Sequence, residues 1–130
     1  MFSIFEANTK KMKKITILGS CPSKKNSRQL FVRGGRIVNI PSKIHLEWET
    51  QAMFQLKKAE RHNYPITIDY KFYFKDNRKR DLDNAIASVN DILVKAEVIK
   101  DDCWQILAIG SATADIDRIN PRVELQIKKK

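Results

Sequence analysis

Cysteine and histidine are scarce in this chain, and each scarcity closes off a class of chemistry. The two cysteines, Cys21 and Cys103, have no metal-binding spacing and are too few for a disulfide framework. They read as reduced thiols, in keeping with a cytoplasmic protein. No base stands in a recognisable relation to Cys21, so a nucleophilic role is set aside. His45 and His62 are isolated in or near one helical stretch and are read as structural or solvated. No apolar run approaches the roughly 18 residues that a membrane span needs, and the amino terminus has no secretory hydrophobic region. No membrane partner is therefore expected. Acidic residues are the minority charge: 25 Lys and Arg against 15 Asp and Glu leave a net charge of +10. That surplus favours a nucleic-acid or anionic-surface partner, although lysines also serve solubility alone. What is present is enough apolar material for one core: 42% hydrophobic residues in 130, among them six Phe, three Tyr and two Trp.

The chain reads as one domain, residues 14–130, after an amino-terminal extension, residues 1–13, that is expected to be partly ordered. Met12-Lys13-Lys14 also has the look of a translation start. Ile15 and Ile17 mark a short strand, and the Pro, Ser and Asn of residues 20–27 mark a loop that carries Lys24 and Lys25. Gly34-Gly35 between two short extended runs is a hairpin signal. Ser42 is placed to cap a helix whose apolar residues Ile44, Trp48, Ala52, Leu56 and Ala59 carry it to about residue 61. After Pro65, strict alternation from Ile66 to Phe74 predicts a long, half-buried strand. A second amphipathic helix is expected over residues 84–96, with Asp83 as its N-cap. Residues 98–99 and 105–109 read as short extended pieces, 111–121 as loop, and Val123, Leu125 and Ile127 as a last strand. Trp48 is expected in the core, and Trp104 in the core or at an interface. The order β-β-β-α-β-α-β-β predicts an α+β fold, a mixed β-sheet with two main helices packed on it.

Function concentrates at Arg78-Lys79-Arg80-Asp81-Leu82-Asp83-Asn84. On extended backbone Asp81 and Asp83 would point to one side. Carboxylates crowded that way tolerate each other best around a divalent cation, and Mg²⁺ prefers such hard oxygen donors. The adjacent cations suit a phosphodiester. The plainer alternative is a helix cap beside a solvated charge. The same spacing at Asp115-Ile116-Asp117 is read as structural. Asp102 is the candidate third carboxylate. A helix over 84–96 is roughly 20 Å long, and residues 97–102 span about 20 Å when extended. Asp102 can therefore return to the pair with little slack, or it can complete the site in a partner subunit.

Asp81-Leu82-Asp83-Asn84 behind basic residues, followed by a helix and Val98-Ile99-Lys100-Asp101-Asp102, resembles the RusA family of Holliday junction resolvases. Residues 22–27 are similar to that family's amino-terminal loop, and the resemblance runs over residues 15–127. It implies a RusA-like fold and a small homodimer that uses Mg²⁺, with Mn²⁺ as an alternative. The expected activity is cutting branched DNA, the four-way junction, by paired nicks during recombination and repair. The family is often encoded by phages and prophages, and a cytoplasmic, nucleoid-associated location follows. The catalytic and metal-binding carboxylates fall on Asp81, Asp83 and Asp102. The DNA-binding set is Lys24, Lys25, Arg78, Lys79, Arg80 and Asn84. The chain departs from the family where a functional lysine is common, four residues after the second motif aspartate. That position is Ala87, and Lys24, Lys25 and Lys79 are the candidate substitutes. Cys103-Trp104 after Asp102 departs as well, in local register. Two alternatives remain open: a junction-binding protein without turnover, and a nucleotidyltransferase. The second lacks the Gly-Ser close upstream of the acidic pair that such enzymes need.

Overall fold

The computed structural model describes residues 13–22 and 28–130. Among these, six strands and two helices follow in the expected order: β1 (Lys13–Leu18), β2 (Arg28–Arg33), β3 (Arg36–Pro41), α1 (Lys43–Leu56), β4 (Ile66–Phe74), α2 (Leu82–Lys95), β5 (Leu107–Ile116) and β6 (Arg122–Lys129). The sheet order is β1-β6-β4-β5, with β4 and β5 parallel and the other neighbours antiparallel. A parallel neighbour needs a crossover, and α2 lies in that crossover. β2 and β3 form a separate two-stranded hairpin, turned at Gly34 and Gly35 with φ of +59° and +78°. Two successive positive φ values fit a tight turn that glycine enters without steric cost. The fold is α+β.

The alternation in β4 sorts its side chains. Ile66, Ile68, Tyr70, Phe72 and Phe74 are buried, while Thr67, Asp69, Lys71 and Tyr73 face the open side of the sheet. Val123, Leu125 and Ile127 of β6 and Ile17 of β1 join the buried set. Trp48, Ala52 and Leu56 of α1 and Val89, Ile92 and Leu93 of α2 close the core. The helices are tied to each other by Glu49, which accepts from Lys95 Nζ at 2.7 Å and pairs with His45 Nε2 at 2.8 Å. Both histidines are buried; His62 Nδ1 lies 3.3 Å from the Val98 carbonyl.

Three expectations are corrected. α1 stops at Leu56 rather than near residue 61, because His62 turns extended to bridge Ile99 and donates its N–H to Val98 O at 2.9 Å. Residues 111–116 are strand, not loop. Their Ser, Thr and Ala content reads as loop, but β4 offers a pairing edge as far as Phe74, opposite Ile116. A bulge opposite Asp69 absorbs the irregularity: Ser111 N donates to Asp69 Oδ1 at 2.9 Å. Asp115 therefore ends a strand. Asp117 beyond it accepts from Ile119 N, Asn120 N and Arg122, a structural role. Finally, Trp104 is 76% exposed, which excludes the core and leaves the interface of the two expected places.

Candidate active site

β4 delivers the chain to the site, and its buried face makes the approach rigid. The rings of Tyr70, Phe72 and Phe74 stack along the strand with centroids 6.2 and 5.7 Å apart and nearly parallel planes. The Arg80 guanidinium continues the stack, 4.7 Å from the Phe74 centroid. Its nitrogens also hold the turn after β4: Nη2 donates to Asp76 Oδ1 at 2.7 Å, and Nη1 donates to the carbonyls of Asp76 and Arg78 at 3.0 and 3.1 Å. The Arg80 guanidinium bonded to Asp76 holds that carboxyl below the usual carboxylate range, helped by the Arg78 N–H. Arg80 is thus engaged inside the chain, while Arg78 and Lys79 are exposed. Asp76, four residues before Arg80, is the sequence signal of this pairing.

Asp81 follows at once. It occupies the N-cap of α2 with β-region backbone, φ −85° and ψ 123°, and Asp83 lies inside the first helical turn. Two expectations change here. The N-cap is Asp81, not Asp83, and the pair is not on one extended segment, because the helix begins at Leu82 between them. They are brought into relation by Asn84 instead. Its backbone N donates to Asp83 Oδ1 at 2.9 Å, and its Nδ2 reaches Asp81 Oδ2 at 3.4 Å. Asp81 makes no side-chain cap bond, so its carboxylate is not consumed by the helix end. Both carboxylates are exposed. The site sits beyond the carboxyl end of a strand that has a parallel neighbour, the usual ligand end of such a unit. A hollow of about 210 Å³ opens beside it, lined by Phe74, Asp76, Arg78, Arg80 and Ile116 among others.

Asp102 is exposed, and its charge bears on the phenol of Tyr70, four residues before the end of β4. Among the described residues no group of three carboxylates, histidines or cysteines is close enough to hold a metal ion. Asp81, Asp83 and Asp102 do not by themselves form such a group. Ala87 is half-buried on α2, one turn beyond Asp83. Lys24 and Lys25 lie outside the described residues.

The amino-terminal loop is anchored to the same helix. Ser88 Oγ donates to Pro22 O at 2.8 Å, and the buried Cys21 thiol reaches Ala85 O at 3.6 Å. Burial pushes the Cys21 thiol up, which suits a structural role.

The model of the family Endodeoxyribonuclease RusA matches residues 21–128, which takes in β2 through most of β6 and every described site residue. The chain belongs to the RusA family. A curated relative, the crossover junction endodeoxyribonuclease RusA of Aquifex aeolicus (strain VF5), is 33% identical over 88 residues, covering 65% of this chain and 68% of the relative. The observed α+β fold agrees with membership of the RusA family.

Proposed function

We propose that this RusA-family chain is a structure-selective DNA endonuclease that resolves four-way junctions by paired phosphodiester hydrolysis, in recombination and repair. The observation that carries the proposal is the Asp81 and Asp83 pair, exposed and linked through Asn84, at the ligand end of β4, with Arg78 and Lys79 exposed beside it. The donor chemistry fits a hard divalent cation such as Mg²⁺ or Mn²⁺, because both residues offer exposed carboxylate oxygens and Asp81 spends none on its helix. Asp81 and Asp83 would hold the ion, with Asp102 as the third donor, from the same chain or from a partner subunit. The ion, when bound, polarises the scissile phosphate and lowers the pKa of the attacking water.

The residues of the chain do the rest. Arg78 and Lys79 grip flanking phosphates without reading sequence, and Lys24 and Lys25 extend that grip. Asn84 orients the two carboxylates. Arg80 keeps the turn rigid, so that Asp81 is presented in one geometry. The chain acts as a homodimer, since two sites related by a two-fold axis match a junction of near two-fold symmetry. It works in the cytoplasm on the nucleoid.

A second reading, junction binding without turnover, is favoured by Ala87, which stands where the family commonly has a functional lysine. One assay decides between them: labelled four-way junction, fork and linear duplex, each with and without Mg²⁺ or Mn²⁺. Paired nicks in the junction alone, only with metal, support the nuclease. Tight junction binding with no nick in either metal supports the second reading.

A further inference from the structure

The two flanks of α2 are treated differently. Ser88 and Lys95 on one flank are tied to Pro22 and Glu49. The other flank begins at Asp83 and continues at Ala87 and Asn90, the i, i+4, i+7 spacing of one helix face. Asn90 is therefore about 10 Å along the helix from Asp83.

Asn90 is only 8% exposed, and such a position ordinarily takes an apolar residue. Its Oδ1 accepts a 2.5 Å hydrogen bond from Tyr70 Oη. With Oδ1 turned to the phenol, Nδ2 must face the other way. Among the described residues it donates to none, yet it is not among the buried polar atoms sealed from solvent without a partner. An oriented amide donor thus opens from the Asp83 flank. Asparagine is a poor helix former, and burying a polar pair costs more than burying Leu against Phe. Stability alone does not select this pair. The residues around it are small. Ala87 is small, and so are Ala112, opposite Tyr70 on β5, and the exposed Ala114. Tyr70 in turn feels the charge of Asp102, and burial above all pushes its phenol up, so it stays a protonated donor.

We propose that Asn90 is a further substrate-contacting residue, its Nδ2 donating to a non-bridging oxygen of a DNA phosphate bound along the Asp83 flank, and that Tyr70 is the positioning residue that aims it. The proposal rests on the DNA-cutting reading of the site and adds a neutral donor to it.

The test uses the full chain with a labelled four-way junction. Asn90→Asp keeps the acceptor for Tyr70 and removes the outward donor, and Asn90→Leu removes both. A charge-assisted donor is worth about ten-fold or more in rate or affinity, so each variant is expected to nick about ten-fold slower or worse. Thermal melts check that each variant is folded. Tyr70→Phe is expected to lose less. The double variant Tyr70→Phe/Asn90→Leu is expected to be no slower than Asn90→Leu, since both changes disable one donor. Both Asn90 variants folded, with nicking and junction affinity like the wild type, would overturn the proposal. If the wild type nicks nothing in Mg²⁺ or Mn²⁺, the nuclease reading fails and junction affinity alone decides for Asn90. Weaker binding by folded Asn90→Asp then supports the contact, and equal binding overturns it.

Discussion

Phe74 is the joint between the core and the site, and replacing it with leucine isolates that joint. The ring stacks on Phe72 at 5.7 Å and carries the Arg80 guanidinium at 4.7 Å. Leucine keeps most of the apolar volume, and a swap of this kind costs about 1 kcal/mol in packing. Loss of the aromatic pair adds about 0.5–1.5 kcal/mol, and loss of the cation–π contact adds about 0.5–1 kcal/mol at a half-buried guanidinium. Phe74→Leu should therefore lower stability by roughly 2–3.5 kcal/mol. Urea denaturation followed by tryptophan fluorescence reads this, with Trp48 buried as the reporter. With a slope of about 2 kcal/mol/M, the midpoint falls by about 1–1.8 M. Phe54, 70% exposed, provides the control, and Phe54→Leu should shift stability by less than about 0.5 kcal/mol. Because Asp81 follows Arg80 directly, junction nicking by Phe74→Leu should fall as well, under conditions where it stays folded. A Phe74→Leu midpoint no lower than that of Phe54→Leu would refute the stacked joint as the support of the site.

Two further outcomes concern pH and the sheet. The folded pKa of Asp76 is lowered, first by its bond to Arg80, so the linked stability is fully present above the ordinary carboxylate value of about 3.9. It is lost as pH falls through the lower folded value. Wild type should therefore exceed Asp76→Asn in urea midpoint at pH 6, with the gap closing below about pH 4; a gap constant down to pH 2.5 would contradict the pairing. Gly110→Ala would place a Cβ 2.1 Å from Asp69 Oδ1 and 3.1 Å from Thr67 Cγ2. The carboxylate must then leave Ser111 N, at a cost of about 1–2 kcal/mol. Urea melts check this, and an unchanged midpoint would contradict it.

The parts of the fold legible in sequence were those where one period dominates. β4 alternates without interruption, and its bounds are the expected ones; Ser42 caps α1 through His45 N at 3.2 Å, as its residue type suggests. β5 was illegible beyond its first residues, because its length is set by the partner edge of β4 and not by its own Ser, Thr and Ala. The end of α1 was hidden for the same reason: the His62 bridge to Ile99 is a long-range contact. At the site, the acidic pair and its basic neighbours were plain in the sequence. The division of labour among the cations was not, since Arg80 differs from Arg78 only by what lies beneath it, the Phe74 ring and Asp76. Chain length allowed Asp102 to reach the pair but did not decide between its own chain and a partner subunit. Asn90 is not legible in the sequence because its meaning depends on Tyr70, twenty residues upstream.

The most direct measurement of the central claim is nicking of a synthetic four-way junction by wild type and Asp83→Asn across a Mg²⁺ titration, with junction affinity measured alongside. Wild type should nick in a Mg²⁺-dependent manner. Asp83→Asn should not nick at any concentration, while binding the junction as well or more tightly, since a negative charge facing phosphate has been removed. Nicking by Asp83→Asn at the wild-type rate and Mg²⁺ dependence would contradict the assignment of the acidic pair as the nuclease centre.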